Sequence, residues 1–179
     1  ALENAVGGGG IRVVSPVEGN KYGLGLIHLD ILNPTVSQIE SLNQKIEGSS
    51  LNFWKPIDAT NEYSISYKLS FGNFSGIFTG DFQNAVSDRL ASIPGIGSVN
   101  YIKVPHHGSK NGITENLIKT LMPKVAVISV GKKNPYHHPS QEILDMLNKY
   151  NVKTFRTDEM GDVEIITDGK DFWIKKGSK

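Results

Sequence analysis

Lys103-Val104-Pro105-His106-His107-Gly108-Ser109 decides how this chain is read. Tyr101–Val104 reads as a short strand, and Pro105 and Gly108 then bracket two adjacent histidines in a loop. In α/β proteins a rigid sheet presents such strand-end loops to ligands, so chemistry collects there. Two further places share this pattern. Upstream, Phe78-Thr79-Gly80-Asp81 exposes a carboxylate behind a glycine at a strand end. Downstream, Asn134-Pro135-Tyr136-His137-His138-Pro139-Ser140 places a second histidine pair just before a helix.

Outward from these loops the pattern of elements changes once. Ile11–Val14 and Ile27–Leu32 read as strands, the latter closed by the turn signal Asn33-Pro34, and Val36–Glu47 has helical spacing. Residues 1–6 read as the tail of a helix ended by Gly7–Gly10, and Asn52–Asn61 as loop. Ile65, Tyr67 and Leu69 alternate with polar residues, and Phe71-Gly72-Asn73-Phe74 turns that strand into Ser75–Phe78. Strands then alternate with helices: Phe82–Ala91 helix, Tyr101–Val104 strand, Ile113–Met122 helix, Val125–Val130 strand. The largely apolar, β-branched-rich run of Val125–Val130 marks a central strand covered on both faces. Ser140 stands as an N-cap before Ile143, Leu144, Leu147 and Tyr150, and Val152–Phe155, Val163–Thr167 and Phe172–Lys175 complete the strands. The fold class is α/β with mixed strand directions.

Composition excludes several classes. The chain has 179 residues, 38% hydrophobic and 21% charged, which fits one soluble globular domain and argues against wholesale disorder. It has no cysteine, so disulfide scaffolds, thiolate zinc sites and cysteine nucleophiles are absent. No apolar run approaches the roughly 18 residues of a membrane span. A net charge of +1 names no partner, but charge is unevenly spread. Tyr101–Pro135 holds Lys103, Lys110, Lys119, Lys124, Lys132 and Lys133 against one acid, Glu115. Lys119 and Lys124 read as solvated helix residues. Lys103, Lys110 and the Lys132-Lys133 pair sit beside histidines, where positive charge suits an anionic substrate.

Each chemical reading has a plainer rival. Gly80-Asp81 alone describes any turn, and a single His-His pair is often surface decoration. Four of the five histidines falling into two strand-end loops is what favours a metal site, since imidazole and carboxylate together suit zinc, manganese or iron. His28, within Leu26–Leu32, reads as an ordinary strand residue. Ser109 and Ser140 lack an arranged acid-histidine set, so turn and cap roles suffice for them.

Taken in order, these residues resemble the metallo-β-lactamase superfamily, and within it the C-terminal domain of competence proteins of the ComEC family. The resemblance rests on Asn61-Glu62-Tyr63-Ser64, Thr79-Gly80-Asp81, Lys103–Ser109, Ser129-Val130-Gly131, Tyr136–Ser140, Arg156-Thr157-Asp158 and Thr167-Asp168-Gly169. It runs from about Gly10 to Trp173, with His137 in place of a usual glycine. It implies the later half of an αββα sandwich. The superfamily's upstream His-x-His/Asp-x-Asp-His segment does not occur in these 179 residues. The expectation is therefore a single domain over residues 1–179 truncated at its N-terminus, or a half-domain completed by another chain.

By the same resemblance the intact protein is a divalent-metal hydrolase with a two-metal site of zinc or manganese, acting on phosphodiesters, with DNA during uptake as the specific expectation. Asp81 takes the bridging carboxylate role. His106 or His107 is a ligand, and His138 is a ligand or phosphate contact. Lys103, Ser109 and Lys110 face the substrate. The fragment itself is expected to bind metal weakly and cleave little. Two alternatives stand beside this reading: a non-catalytic module that binds DNA or a partner, and a lactonase or esterase of the same fold. Compartment and any membrane tethering of the parent protein are left open.

Overall fold

The computed structural model describes residues 14–48 and 60–177, and the readings at residues 1–13 and 49–59 lie outside them. Seven strands form one sheet in sequence order: β1 (Lys21–Leu24), β2 (Ile27–Asn33), β3 (Ser66–Phe71), β4 (Phe74–Phe78), β5 (Tyr101–Lys103), β6 (Val125–Ile128) and β7 (Lys153–Arg156). β1 to β4 pair antiparallel, with tight turns joining β1 to β2 and β3 to β4, whereas β4 to β7 pair parallel. The parallel half needs crossovers, and helices supply them: α2 (Asn84–Ala91), α3 (Glu115–Leu121) and α4 (Gln141–Lys149). α1 (Val36–Gly48) follows β2, and the short α5 (Thr157–Met160) follows β7. β8 (Val163–Thr167) and β9 (Phe172–Lys176) pair as a separate hairpin.

Strand periodicity sorts the core into two clusters. On one face Leu32, Ile77, Ile102, Ala126 and Ile128 meet Val86 and Leu90 of α2, Leu117, Ile118 and Leu121 of α3, and Ile143 and Leu147 of α4. On the other, Phe74, Tyr101, Val125, Val127 and Phe155 meet Val163, Ile165, Phe172 and Ile174 of the β8–β9 hairpin. All four residues of β6 are buried, as its apolar run required. The α/β class with mixed strands is thus the observed one, with helices on one side of the sheet and a β layer on the other.

Several boundaries move inward. β6 ends at Ile128, because Val130 turns away to bond Thr157: its N–H donates to Thr157 Oγ1 at 2.8 Å, and that hydroxyl donates to the Val130 carbonyl at 2.9 Å. α2 starts at Asn84, since Phe82 is fully buried in the core ahead of it. Ser140 does sit at the N-cap of α4, but its side chain makes no capping bond. β1 had no counterpart in the sequence reading; Gly23 and Gly25 dilute its alternation.

The parallel register determines where chemistry can occur. β4, β5, β6 and β7 all run the same way, so their C-terminal ends open on one edge of the sheet. Asp81, the His106-His107 pair, Ser129 to His138, and Arg156 to Asp158 all follow those ends.

Candidate metal centre

Asp81 is delivered by a tightly determined turn. Thr79 is fully buried, and its hydroxyl donates to the Lys103 carbonyl at 2.8 Å. Gly80 takes a left-handed φ of +59°, where a Cβ would come within 2.7 Å of the Ser64 side chain, so glycine fits this turn on two counts. The Asp81 N–H donates to Ser64 Oγ at 3.0 Å. Its carboxylate faces two groups: Lys103 Nζ stands 3.4 Å from Oδ1, and His107 Nε2 stands 3.4 Å from Oδ2.

The second loop is a 3-10 turn, Pro105–Gly108, in which His106 (φ 49°) and His107 (φ 56°) both adopt left-handed backbone. Such conformations cost L-residues about 1–2 kcal/mol each and survive only where surroundings enforce them. Here His107 Nδ1 lies 2.7 Å from the Ser129 carbonyl at the end of β6. His106 Nδ1 is buried without a hydrogen-bond partner.

The third loop docks on the second. Gly108 approaches so closely that a Cβ there would lie 2.6 Å from the Pro139 side chain, and its carbonyl accepts the Ser140 N–H at 2.9 Å. Asn134 shapes the loop from within, accepting the His138 N–H at 2.8 Å and donating to its carbonyl at 2.9 Å. The His138 ring stands edge-on to His106, centroids 6.0 Å apart, and stacks against Tyr136. Burial, together with the positive charge that His106 and His107 can carry, pushes the His138 imidazole below its ordinary value. A neutral imidazole is the form that coordinates a metal.

Asp81, His106, His107 and His138 are therefore brought to one edge, as two contacting pairs: Asp81 with His107, and His106 with His138. The first pair has the geometry of shared ligation. Two donors each about 2.1 Å from one tetrahedral ion stand about 3.4 Å apart, which is the observed Oδ2 to Nε2 separation. Among the described residues, no group of three His, Asp or Glu closes around a common point. His137 is exposed. Ser109 is buried, and its hydroxyl accepts the Asn111 N–H at 3.3 Å, a turn role. Lys110, Lys132 and Lys133 are exposed on the same loops.

The sequence reading took Asn33 for a turn signal, but it is fully buried and braces this edge. Its Nδ2 donates to the carbonyls of Glu62 at 2.9 Å and Ser64 at 2.7 Å, while its Oδ1 accepts from Arg89 at 2.7 Å. It thereby holds Ser64, which holds Asp81. Only long-range contacts reveal that role.

No family model matches this chain. Over 105 residues it is 37% identical to ComE operon protein 3 of Bacillus subtilis, covering 58% of this chain and 13% of that protein. It is 30% identical over 107 residues to Recombination protein 2 of Haemophilus influenzae, covering 60% and 13% respectively. It is 25% identical over 120 residues to competence protein ComA of Neisseria gonorrhoeae, covering 64% and 17%. The matched segment is thus a small part of each of these relatives. Among solved structures, CmlA, a diiron beta-hydroxylase from Streptomyces venezuelae, superposes with a TM-score of 0.50 at 12% identity, covering 87% of this chain and 35% of that one. Among the described residues no helix is long and apolar enough to cross a membrane.

Proposed function

We propose that this chain, a relative of ComEC-family competence proteins with a metallo-β-lactamase fold, forms part of a metal-dependent phosphodiesterase acting on DNA during uptake. The observation that carries the reading is the 3.4 Å pairing of Asp81 Oδ2 with His107 Nε2 on the edge where His106 and His138 meet. A divalent ion, zinc or manganese, bound there would supply a hydroxide nucleophile at neutral pH and polarise the phosphoryl group. Asp81 and His107 would hold it on this side. His138, whose imidazole is pushed by burial below its ordinary value, and the unpartnered His106 Nδ1 are the further donors of the edge. Lys110, Lys132 and Lys133 would draw the polyanion in from solvent.

A second reading is a non-catalytic module that binds DNA, favoured by the absence of a closed three-donor set among the described residues. The test uses the protein as the cell makes it, with manganese or zinc, on single- and double-stranded DNA. The hydrolase reading expects cleavage that Asp81→Asn abolishes and that chelation stops. DNA binding with no cleavage under any metal would overturn it in favour of the binding module. The 179-residue chain alone is expected to bind metal weakly, since no set of three donors closes among the described residues.

A further inference from the structure

Lys103 differs from the other lysines of the basic stretch. Lys110, Lys132 and Lys133 lie open to solvent, whereas the Lys103 side chain keeps only 20% of its surface exposed. Lys103 is the last residue of β5, and both its ends grip the loop that leaves β4. Its carbonyl accepts the Thr79 hydroxyl at 2.8 Å. Its Nζ donates to the Gly80 carbonyl at 2.8 Å and stands 3.4 Å from Asp81 Oδ1.

The Asp81 carboxylate is therefore fixed from two directions. Ser64 Oγ holds its backbone N–H, and Lys103 draws Oδ1 toward β5. Only Oδ2 is left facing His107. An ammonium has three donors, and two of these are directed at a main-chain carbonyl and an internal carboxylate. Such a group is poorly placed to bind a phosphate from solvent, the role its sequence neighbourhood suggested.

We infer that Lys103 is a positioning residue, which aims the Asp81 carboxylate at His107 and makes no contact with the DNA backbone. Its consequence for rate rests on the hydrolase reading above; its geometry does not. Losing the ammonium frees Asp81 to rotate, so the productive arrangement is populated less often and turnover falls while substrate affinity stays.

The experiment compares Lys103→Met, Lys103→Arg and Lys110→Ala in the protein as the cell makes it. In a crystal structure of K103M the Asp81 carboxylate is expected to leave its 3.4 Å contact with His107; a carboxylate unmoved in that variant overturns the inference. In DNA binding, losing one phosphate contact lowers the salt slope by about 1. K103M is expected to keep the wild-type slope while K110A lowers it, and a lowered slope for K103M overturns the inference. In turnover, K103M is expected to lose about 10-fold or more in kcat with KM unchanged, and K103R to recover part of that. Raised KM with kcat intact overturns it. Should K103M not fold, Lys103→Gln, which can still donate to Gly80, serves the same three measurements. A wild type that cleaves no DNA would sink the hydrolase reading, yet the crystal structures would still decide the role of Lys103.

Discussion

Nδ1 of His107 lies 2.7 Å from the carbonyl oxygen of Ser129. A carbonyl can only accept, so Nδ1 carries a proton, and Nε2 is the ring atom that faces Asp81 Oδ2. Metal-binding histidines are commonly oriented this way, by a main-chain carbonyl behind the ring. Here β6 supplies the carbonyl, β5 the ring and β4 the carboxylate, so the parallel register of three strands sets the geometry.

His107→Ala should therefore reduce metal-dependent cleavage by the protein as the cell makes it about 100-fold. The ring is half exposed and makes one hydrogen bond to the protein, so stability should fall by no more than about 1.5 kcal/mol. Cleavage rates beside thermal melts check both parts. An unchanged rate would remove His107 from the site.

Replacing His106 by glycine should do the opposite of an ordinary loop substitution. His106 holds φ 49° and buries an unpartnered Nδ1, each unfavourable by about 1 kcal/mol or more. Glycine removes both while adding about 0.5–1 kcal/mol of unfolded-state entropy. His106→Gly should melt at or above the wild-type temperature while cleavage is lost. A fall of several degrees would mean that the ring packs for stability rather than function.

Asn33→Ala should act at a distance. It removes one hydrogen bond each from the Glu62 carbonyl, the Ser64 carbonyl and Arg89, which keep Gln38, Ser66 and Leu32 as partners, so three hydrogen bonds are lost at about 1 kcal/mol each. Urea denaturation should show a loss of at least about 2 kcal/mol. Because Ser64 anchors the Asp81 N–H, cleavage measured well below the melting temperature should fall too. Normal stability would show that the network is dispensable.

Much of the fold was legible because its signals are local. Val125–Ile128 announces burial on both faces by being apolar throughout, and Phe71-Gly72-Asn73-Phe74 announces a hairpin by its turn residues. The three strand-end loops that meet at one edge of the sheet were legible for the same reason. What sequence could not supply is pairing across the chain. Nothing near Lys103 says that its ammonium reaches the Gly80 carbonyl, and nothing near Phe172 says that its ring packs on Phe74. Ser140 shows the limit from the other side: the cap residue was correctly placed, yet its hydroxyl is buried with no partner.

Val127→Asp tests the two-faced burial of β6. Val127 is buried with Phe74, Tyr101 and Phe155 in the cluster that faces the β8–β9 hairpin. The substitution should cost several kcal/mol and leave the domain unfolded at 37 °C, whereas Val127→Ala should cost about 1–3 kcal/mol. Circular dichroism melts separate the two, and a folded Val127→Asp protein would place β6 at an open face.

Glu115 gives the fold a defined acid sensitivity. Its carboxylate, on the first turn of α3, accepts from Lys149 Nζ at 2.8 Å and from the Tyr150 hydroxyl, both at the end of α4, and Lys119 Nζ lies 3.4 Å away. The hydrogen bonds from Lys149 and Tyr150 hold its pKa at about 2, against an ordinary 4.5. A carboxyl lowered on folding binds fewer protons folded than unfolded between those two values. The stability it contributes is thus complete above pH 4.5 and is lost as pH falls toward 2. Glu115→Gln lacks that contribution at every pH. The gap in urea midpoint between wild type and E115Q should be widest near pH 6 and close progressively between pH 4.5 and 2. Added salt should narrow it, because the carboxylate is solvent-exposed and its ion pairs are screened. A gap that stays constant across this range would mean that Glu115 clamps the two helices through packing rather than charge.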